Sequence, residues 1–296
     1  MSNRQQSLKN LLVKAQAGGY AVGAFNCRYH QMIQAVLEAA EEARSPVCLE
    51  IAQPELKNFR IDTDAFMDEV NRVVRDSDIT VPFAVHLDHS WDREVFDKAL
   101  ASGFLSVMID ASTKPLDENI AATREIVELA HPKGAGVEAE LGKIASADKL
   151  ETDNDETLYT DPSEARRFVE ESGCDYLAVS VGSAHGVYAV KNPTIDFKRI
   201  QEIREVVSIP LVLHGGTGIP DETVRTAINV PGGGVSKLNV ATELEHAFLA
   251  AIGGRERLKP EEIDALSKDD TARGRAAIRD VVLEKIESFL MSKGKA

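Results

Sequence analysis

The sequence predicts a (β/α)8 TIM barrel, in which eight parallel strands alternate with eight helices. About eight apolar runs alternate with segments of helical periodicity between residues 20 and 252. The connections between them are short, as in parallel α/β units. Polar residues follow several runs, at the carboxyl ends of strands where barrels carry their chemistry. A doubly wound sheet is the alternative, but no Gly-x-Gly-x-x-Gly turn follows the first strand.

The strands are predicted from short apolar runs that end in polar or turn-forming residues. They span residues 20–25, 47–51, 82–87, 104–110, 136–142, 176–181, 210–213 and 235–240. The helices are predicted from apolar residues at helical spacing, with Gly18-Gly19 ending the first and Asp92 and Asp161 as N-caps of two others. They span residues 8–17, 32–43, 64–75, 95–100, 119–130, 162–171, 197–206 and 242–252, with one more after Pro220.

Two segments lie outside this alternation. Residues 143–160 carry many acidic and few apolar side chains, which predicts a long loop of the kind that is often functional. Residues from about 253 to 296 are predicted to form a C-terminal helical extension of a single barrel domain that covers residues 1–296. One apolar face marks this extension, and it consists of Ile278, Val281, Val282, Ile286, Phe289 and Leu290.

Composition limits the classes of partner. Lys and Arg number 34 against 48 Asp and Glu, giving a net charge of −14. That balance argues against nucleic acid or an anionic membrane as the main partner. Neither a signal peptide nor an apolar run of membrane-spanning length is expected. Cys27, Cys48 and Cys174 are interpreted as buried thiols, which fits a reducing cytoplasm.

One predicted strand carries the strongest chemical signal. Because side chains alternate along a strand, His86 and Asp88 share one face and His89 stands at the exit. An imidazole beside a carboxylate at that point suggests a metal ligand next to an acid or base. The alternative is two polar groups that bond to each other at a loop edge. His185 and His214 also follow strands, and three converging imidazoles form the ligand set of a catalytic zinc ion.

Glycines follow the same histidines. Gly186 follows His185, and Gly215, Gly216 and Gly218 follow His214. Backbone N–H groups at glycine can cradle a phosphate, and barrels often bind phosphate at the loops after strands 7 and 8. The loop at residues 239–242 follows the last strand. The alternative is that these glycines only permit tight turns.

Five segments together resemble the class II, metal-dependent fructose-bisphosphate aldolase family, and within it the tagatose-bisphosphate or ketose-bisphosphate aldolase branch. The resemblance runs in order from about residue 8 to residue 252, and as a set the segments are highly specific. They are His86-Leu87-Asp88-His89, Val137-Glu138-Ala139-Glu140-Leu141-Gly142, Ser183-Ala184-His185-Gly186, Leu213-His214-Gly215-Gly216-Thr217-Gly218 and Asn239-Val240-Ala241-Thr242-Glu243-Leu244.

The resemblance implies a role for each matched residue. His89, His185 and His214 would be the Zn²⁺ ligands, with Glu140 as an alternate ligand or a group beside the metal. Asp88 would be the catalytic acid/base, and Asp148 would match a glutamate of the family's mobile loop. The substrate, with a monovalent cation (Na⁺ or K⁺) near its dihydroxyacetone phosphate half, would be bound by Asn26, Gly186, Gly215, Gly216, Thr217, Asn239, Ala241 and Thr242.

The chain departs from the family pattern where the far end of the substrate is expected. Ala145-Ser146 replaces a Gly-Gly pair, and Leu258-Lys259-Pro260 stands where the family has Asp-Pro-Arg. The metal and dihydroxyacetone phosphate residues are present, whereas recognition of the distal group is rebuilt.

Three functional hypotheses remain open at this stage. The first is a zinc-dependent aldolase of carbohydrate metabolism (glycolysis) for fructose 1,6-bisphosphate or tagatose 1,6-bisphosphate, or for a ketose 1-phosphate with a non-phosphorylated, carboxylate or sulfonate end. The second is a non-catalytic barrel subunit that binds a sugar phosphate or metal, and the third is a metal-free phosphate-binding isomerase. A homodimer or homotetramer is expected.

Overall fold

Eight parallel strands close into a barrel in the computed structural model, which describes residues 4–146, 156–186, 193–254 and 257–296. The barrel strands are β1 (Val22–Asn26), β2 (Val47–Ala52), β3 (Phe83–Ser90), β4 (Ser106–Ile109), β5 (Gly136–Leu141), β7 (Tyr176–Val179), β9 (Leu211–Leu213) and β10 (Val235–Val240). They follow one another around the barrel in chain order, and β10 pairs with β1 to close it. The predicted (β/α)8 barrel is confirmed.

Helices follow every barrel strand, as the periodicity predicts. The helices are α1 (Leu8–Gly18), α2 (His30–Ala43), α3 (Gln53–Asn58), α4 (Thr63–Asp76), α5 (Arg93–Ser102), α6 (Leu116–Ala130), α7 (Pro162–Ser172), α8 (Phe197–Val206), α9 (Asp221–Ile228), α10 (Thr242–Ala251), α11 (Pro260–Asp264) and α12 (Lys268–Glu284). Asp161 caps α7 as predicted, because its carboxylate accepts from the backbone N–H groups of Ser163 and Glu164. Asp92 is the N-cap residue of α5 as predicted, but its carboxylate makes no capping hydrogen bond and accepts one from Gln53 Nε2 at 2.7 Å.

The segment predicted as one long loop contains more structure than its composition indicates. Strand β6 (Ala145–Ser146) pairs in parallel with β8 (Ala184–His185), and a turn of 3-10 helix spans Glu156–Leu158. The short ladder lies next to the carboxyl ends of β5 and β7. The pairing of β6 with β8 therefore fixes the backbone position of His185.

Strand β3 is longer than its apolar run, because it continues through the polar residues as far as Ser90. Its register with β4 shifts between Leu87 and Ser90, and His89 has a positive φ of 26°. Regular alternation would turn His89 away from the face that carries Asp88. The irregularity re-aims its side chain, so that both residues line one pocket.

Helix α1 closes the amino-terminal end of the barrel. Its buried residues Leu8, Leu11, Leu12 and Ala15 form one apolar cluster with interior strand residues. This packing leaves the carboxyl end of the barrel as the open face, where the polar residues lie.

The C-terminal helices pack on the outside of the barrel. Helix α12 contacts α2 and α10 and continues into a π-helical turn at Lys285–Phe289. Ile278, Val282 and Phe289 of the predicted apolar face are fully buried there. Among the described residues, none of the helices has the length and apolar character needed to span a bilayer.

Candidate metal and substrate site

Three histidines from different parts of the chain meet at the open end of the barrel. His89 Nε2 lies 3.2 Å from His185 Nε2 and 2.9 Å from His214 Nδ1, and the latter two nitrogens are 3.4 Å apart. The rings stand nearly perpendicular to one another. The structure thus brings together the three residues that the sequence singled out as ligands.

This nitrogen triangle fits a tetrahedral metal ion. Nitrogens bound to one zinc ion at about 2.0–2.1 Å are separated by about 3.3 Å from one another, close to the distances found here. Burial lowers the pKa of His214 and lowers that of His185 to about 3. Both imidazoles are therefore neutral near pH 7, the form that binds metal. Burial lowers the pKa of His89, but Asp88 and Asp110 outweigh it and raise that pKa to about 10, so a metal ion bound here would have to displace the His89 proton.

Two of these rings form hydrogen bonds with carboxylates on the side away from the nitrogen triangle. Asp110 Oδ2 lies 2.9 Å from His89 Nδ1, and Glu138 Oε1 lies 2.8 Å from His214 Nε2. Each contact uses the ring nitrogen that faces away from the triangle. A carboxylate in that position fixes the tautomer and orientation of a metal-binding histidine.

Asp88 lies beside the triangle and is held by two amides. Asn26 Nδ2 donates to Asp88 Oδ2 at 3.2 Å, and Asn239 Nδ2 donates to Asp88 Oδ1 at 3.3 Å. Burial raises the pKa of the Asp88 carboxyl, but the neighbouring groups His89, His214 and Lys237 outweigh this effect and hold the pKa well below its usual range. The group is an ionised acceptor, as a base requires.

Glu140 reaches the same site from β5. Burial raises its pKa to about 8, and its Oε2 is a buried atom without a hydrogen-bond partner among the described residues. With His89 and Asp110 it forms a second group whose ligand atoms all lie within 4.8 Å of one another. This placement is compatible with either predicted role, alternate ligand or neighbour of the metal.

A cavity of about 690 Å³ opens above the histidines. Most of the predicted site residues line it, namely Asn26, Asp88, His89, Glu140, His185, Gly186, Gly215, Thr217, Asn239, Ala241 and Thr242. Two others lie beneath its wall, because His214 and Gly216 are buried. Asp148 lies outside the described residues.

The loop after β9 requires glycine at two positions for steric reasons. Gly215 has a φ of 70°, and a β-carbon there would collide with the carbonyl group of Ala184. A β-carbon on Gly216 would collide with the backbone carbonyl oxygen of Asn239 and with the side chain of Leu238. These glycines therefore permit a close approach of backbone segments, whether or not a phosphate binds at their N–H groups.

Helix α10 begins at this edge of the cavity. Thr242 is its first residue and Ala241 precedes it, and both line the cavity. The first N–H groups of a helix have no hydrogen-bond partner within the helix, and they carry the partial positive charge of the helix dipole. The end of α10 can thus receive an anion.

A layer of buried charge supports the site from inside the barrel. Lys237 Nζ lies 3.0 Å from Glu138 Oε2 and 3.3 Å from Glu50 Oε2, and all three side chains are fully buried. Burial lowers the pKa of Lys237, but the two carboxylates outweigh it and raise the pKa above its usual value. The ammonium group is therefore charged, and it holds Glu138 against His214.

This layer was not predicted, although the sequence carries a signal for it. Glu138 stands two residues before Glu140, and Lys237 stands two residues before Asn239. Residues two apart on a strand share a face. Glu138 and Lys237 therefore lie on the same strand faces as Glu140 and Asn239, one step deeper in the barrel.

Replacing Lys237 by methionine is expected to lower the free energy of unfolding by about 3–5 kcal/mol, because the buried carboxylate of Glu138 loses its charged partner. Chemical denaturation followed by circular dichroism measures this change. The matched control is Lys98→Met, since Lys98 pairs with Glu94 at the surface and is 62% exposed. That change should cost less than about 1 kcal/mol. Equal effects of the two substitutions would contradict a stabilising role for the buried layer.

A second charged cluster at the cavity wall was also missed. The Arg28 guanidinium lies 2.8 Å from Glu55 Oε1 and 2.5 Å from Glu245 Oε2. Arg257 also binds Glu245, at 2.8 Å. These residues lie in loops and helices, where no period relates them to the site residues.

The chain is similar to known proteins over almost its whole length. A family model described as fructose-bisphosphate aldolase class-II matches residues 6–295. A fructose-bisphosphate aldolase from Geobacillus stearothermophilus is 41% identical over 293 residues, which are 98% of each chain. The crystal structure of the YdjI aldolase from Escherichia coli K12 matches with a TM-score of 0.82 and 34% identity over 99% of both chains. A fructose-bisphosphate aldolase structure from Campylobacter jejuni, 22% identical, has the same fold with a TM-score of 0.76 over 99% of this chain and 97% of that one.

Proposed function

Because the chain belongs to the class II fructose-bisphosphate aldolase family and is therefore a carbon–carbon lyase, we propose that it cleaves a ketose phosphate reversibly to dihydroxyacetone phosphate and an aldehyde. The observation that carries this proposal is the convergence of three imidazoles and one amide-held carboxylate in a single cavity. The default substrates are fructose 1,6-bisphosphate and tagatose 1,6-bisphosphate. A ketose 1-phosphate with another distal group is the alternative, since the chain departs from the family where that end is bound.

His89, His185 and His214 would hold the metal ion, which we propose to be Zn²⁺. When bound, the ion supplies a Lewis acid that offsets negative charge on the ketone oxygen during cleavage. Asp110 and Glu138 keep the rings of His89 and His214 oriented toward it through their hydrogen bonds. Glu140 stands close enough to serve as an alternate ligand.

Asp88 is proposed as the base that accepts the proton of the substrate's C4 hydroxyl group. Loss of that proton allows the C3–C4 bond to break, and the C4 oxygen becomes the aldehyde oxygen. In synthesis the same carboxyl group returns the proton. The two amides that bind the Asp88 oxygens favour the ionised form and fix its direction.

The phosphate of the dihydroxyacetone phosphate half is assigned to the loops after β9 and β10. Gly215, Thr217, Ala241 and Thr242 line the cavity there, and α10 begins at the same point. A monovalent cation near this phosphate stays a prediction. The group that protonates the carbon end after cleavage is proposed to be Asp148.

The protein is proposed to act in the cytoplasm as a homodimer or homotetramer. The three cysteines are buried free thiols, which is typical of proteins from a reducing compartment.

The test is a measurement of bound zinc together with the release of dihydroxyacetone phosphate from a panel of ketose phosphates, with and without a chelator. We expect one zinc ion per chain and release that stops on chelation and returns when Zn²⁺ is added back. Zinc without release from any substrate would contradict the proposed reaction. Release that persists in the absence of metal would contradict the role of the three histidines.

A further inference from the structure

Trp91 is the single tryptophan of the sequence, and it stands at the mouth of the cavity. Its side chain is 53% exposed, so most of the indole surface is free to contact a molecule in the cavity. Among the described residues, the other large hydrophobic residue with comparable exposure is Val13 on α1, at the closed end of the barrel. The exposed indole therefore coincides with the open, functional face.

The position of Trp91 on the barrel separates it from the phosphate loops. It follows β3, whereas the loops assigned to the phosphate follow β9 and β10. In the closed strand order, β3 lies on the side of the barrel opposite β9 and β10. A ketose phosphate whose phosphate is bound at the β9 and β10 loops would extend across the histidines toward Trp91.

Hydrogen bonds fix the backbone that carries the indole. Gln53 Oε1 accepts from the backbone N–H groups of Trp91 and Asp92, both at 3.0 Å, and Gln53 Nε2 donates to Asp92 Oδ2 at 2.7 Å. Gln53 itself is buried. Because this backbone is already held in place, the loop that carries the indole would lose little conformational freedom on contact with a ligand.

The neighbouring wall is apolar. Ala52, the last residue of β2, and Pro54, which follows that strand, line the same cavity as Trp91. An indole beside small apolar groups offers a flat surface for the C–H face of a carbon chain. A carbohydrate chain presents such a face between its hydroxyl groups.

We propose that Trp91 is a specificity-determining residue, which packs against the carbon chain of the aldehyde half of the substrate. The inference rests on the proposed function, because it uses the direction in which a ketose phosphate would lie. It assigns to Trp91 a contact with the aldehyde half and none with the dihydroxyacetone phosphate half.

The kinetic test compares the zinc-loaded wild type with Trp91→Ala, Trp91→Phe and the control Val13→Ala. Substrates are fructose 1,6-bisphosphate and fructose 1-phosphate, and dihydroxyacetone phosphate is tested as a product inhibitor. For Trp91→Ala we expect KM to rise about tenfold, because apolar contact is lost, while the inhibition constant of dihydroxyacetone phosphate stays within about twofold. Trp91→Phe should restore most of the loss, and Val13→Ala should change neither constant.

A binding test does not depend on turnover. Trp91 is the only source of tryptophan emission, so its fluorescence reports directly on its surroundings. In the zinc-loaded variant Asp88→Asn, fructose 1,6-bisphosphate should quench or shift this emission more strongly than dihydroxyacetone phosphate does.

The outcomes separate the two proposals. Cleavage that is unaffected by Trp91→Ala, with no emission change on adding ketose phosphate, would overturn the role of Trp91 and leave the aldolase intact. Absence of cleavage of every ketose phosphate in the panel, together with an emission change, would contradict the proposed reaction and support ligand contact at Trp91. An altered oligomeric state of Trp91→Ala, measured by light scattering, would overturn the inference in favour of a contact between copies of the chain.

Discussion

The variant Asp88→Asn should release dihydroxyacetone phosphate about 10³-fold more slowly than the wild type, because proton transfer by a positioned carboxylate typically contributes 10²–10⁴-fold. Asparagine has nearly the same shape and can still accept a hydrogen bond from Asn26 or Asn239. It cannot accept the C4 hydroxyl proton, since its amide is not basic at neutral pH. The rate constant kcat should therefore fall while KM changes little.

Zinc content separates this loss from a damaged site. Asp88 is not one of the three proposed ligands, so the variant should retain one metal ion per chain. Asp97→Asn on α5 is the matched control, since Asp97 is half exposed and binds Arg93 at the surface. Its kcat should stay within about twofold of the wild type. Full activity of Asp88→Asn would exclude Asp88 as the base.

The barrel could be predicted because its signal is local. Each strand is a short apolar run and each long helix has a clear period, so strand order follows once the alternation is counted. The pieces that were missed are short. Helix α3 and strands β6 and β8 span too few residues for a period to be visible, and β3 continues through polar residues that the apolar run does not include.

The candidate site depended on the fold and on the family resemblance. His89 and His214 are 125 residues apart in sequence, so no local spacing connects them, and only a closed barrel brings their nitrogens together. His89 also required a break in the register of β3, which no residue pattern indicates. In contrast, the charged residues inside the barrel obey a period of two and could have been found.

The glycines after β9 are needed for close packing of the backbone, which is a different reason from phosphate binding. The sequence leaves open whether Gly215 and Gly216 bind a phosphate or only permit tight turns. The structure shows that backbone packing requires glycine at both positions. Evidence for phosphate binding therefore comes from the start of α10 and from the cavity, and not from the glycines alone.

The largest loss of activity is expected for His185→Ala. With one of three imidazoles removed, the remaining two bind zinc much more weakly, and release of dihydroxyacetone phosphate should fall below detection. His185 is the informative ligand to remove, because it is only partly buried. His214, by contrast, is fully buried and holds the buried carboxylate of Glu138. Removal of His214 would also destabilise the fold, so a loss of activity could not be attributed to metal binding alone.

Metal binding and folding can be separated in this variant. In the absence of metal, His185→Ala should unfold at nearly the same denaturant concentration as the wild type, whereas added zinc should stabilise the wild type alone. His246→Ala on α10 is the control, since His246 is exposed and is not among the residues that line the cavity. It should retain zinc and activity. If His185→Ala kept stoichiometric zinc and full turnover, the metal would be held by another set of residues, either His89 with Asp110 and Glu140 or Glu50 with His86 and Asp88, and the proposed ligand set would be wrong.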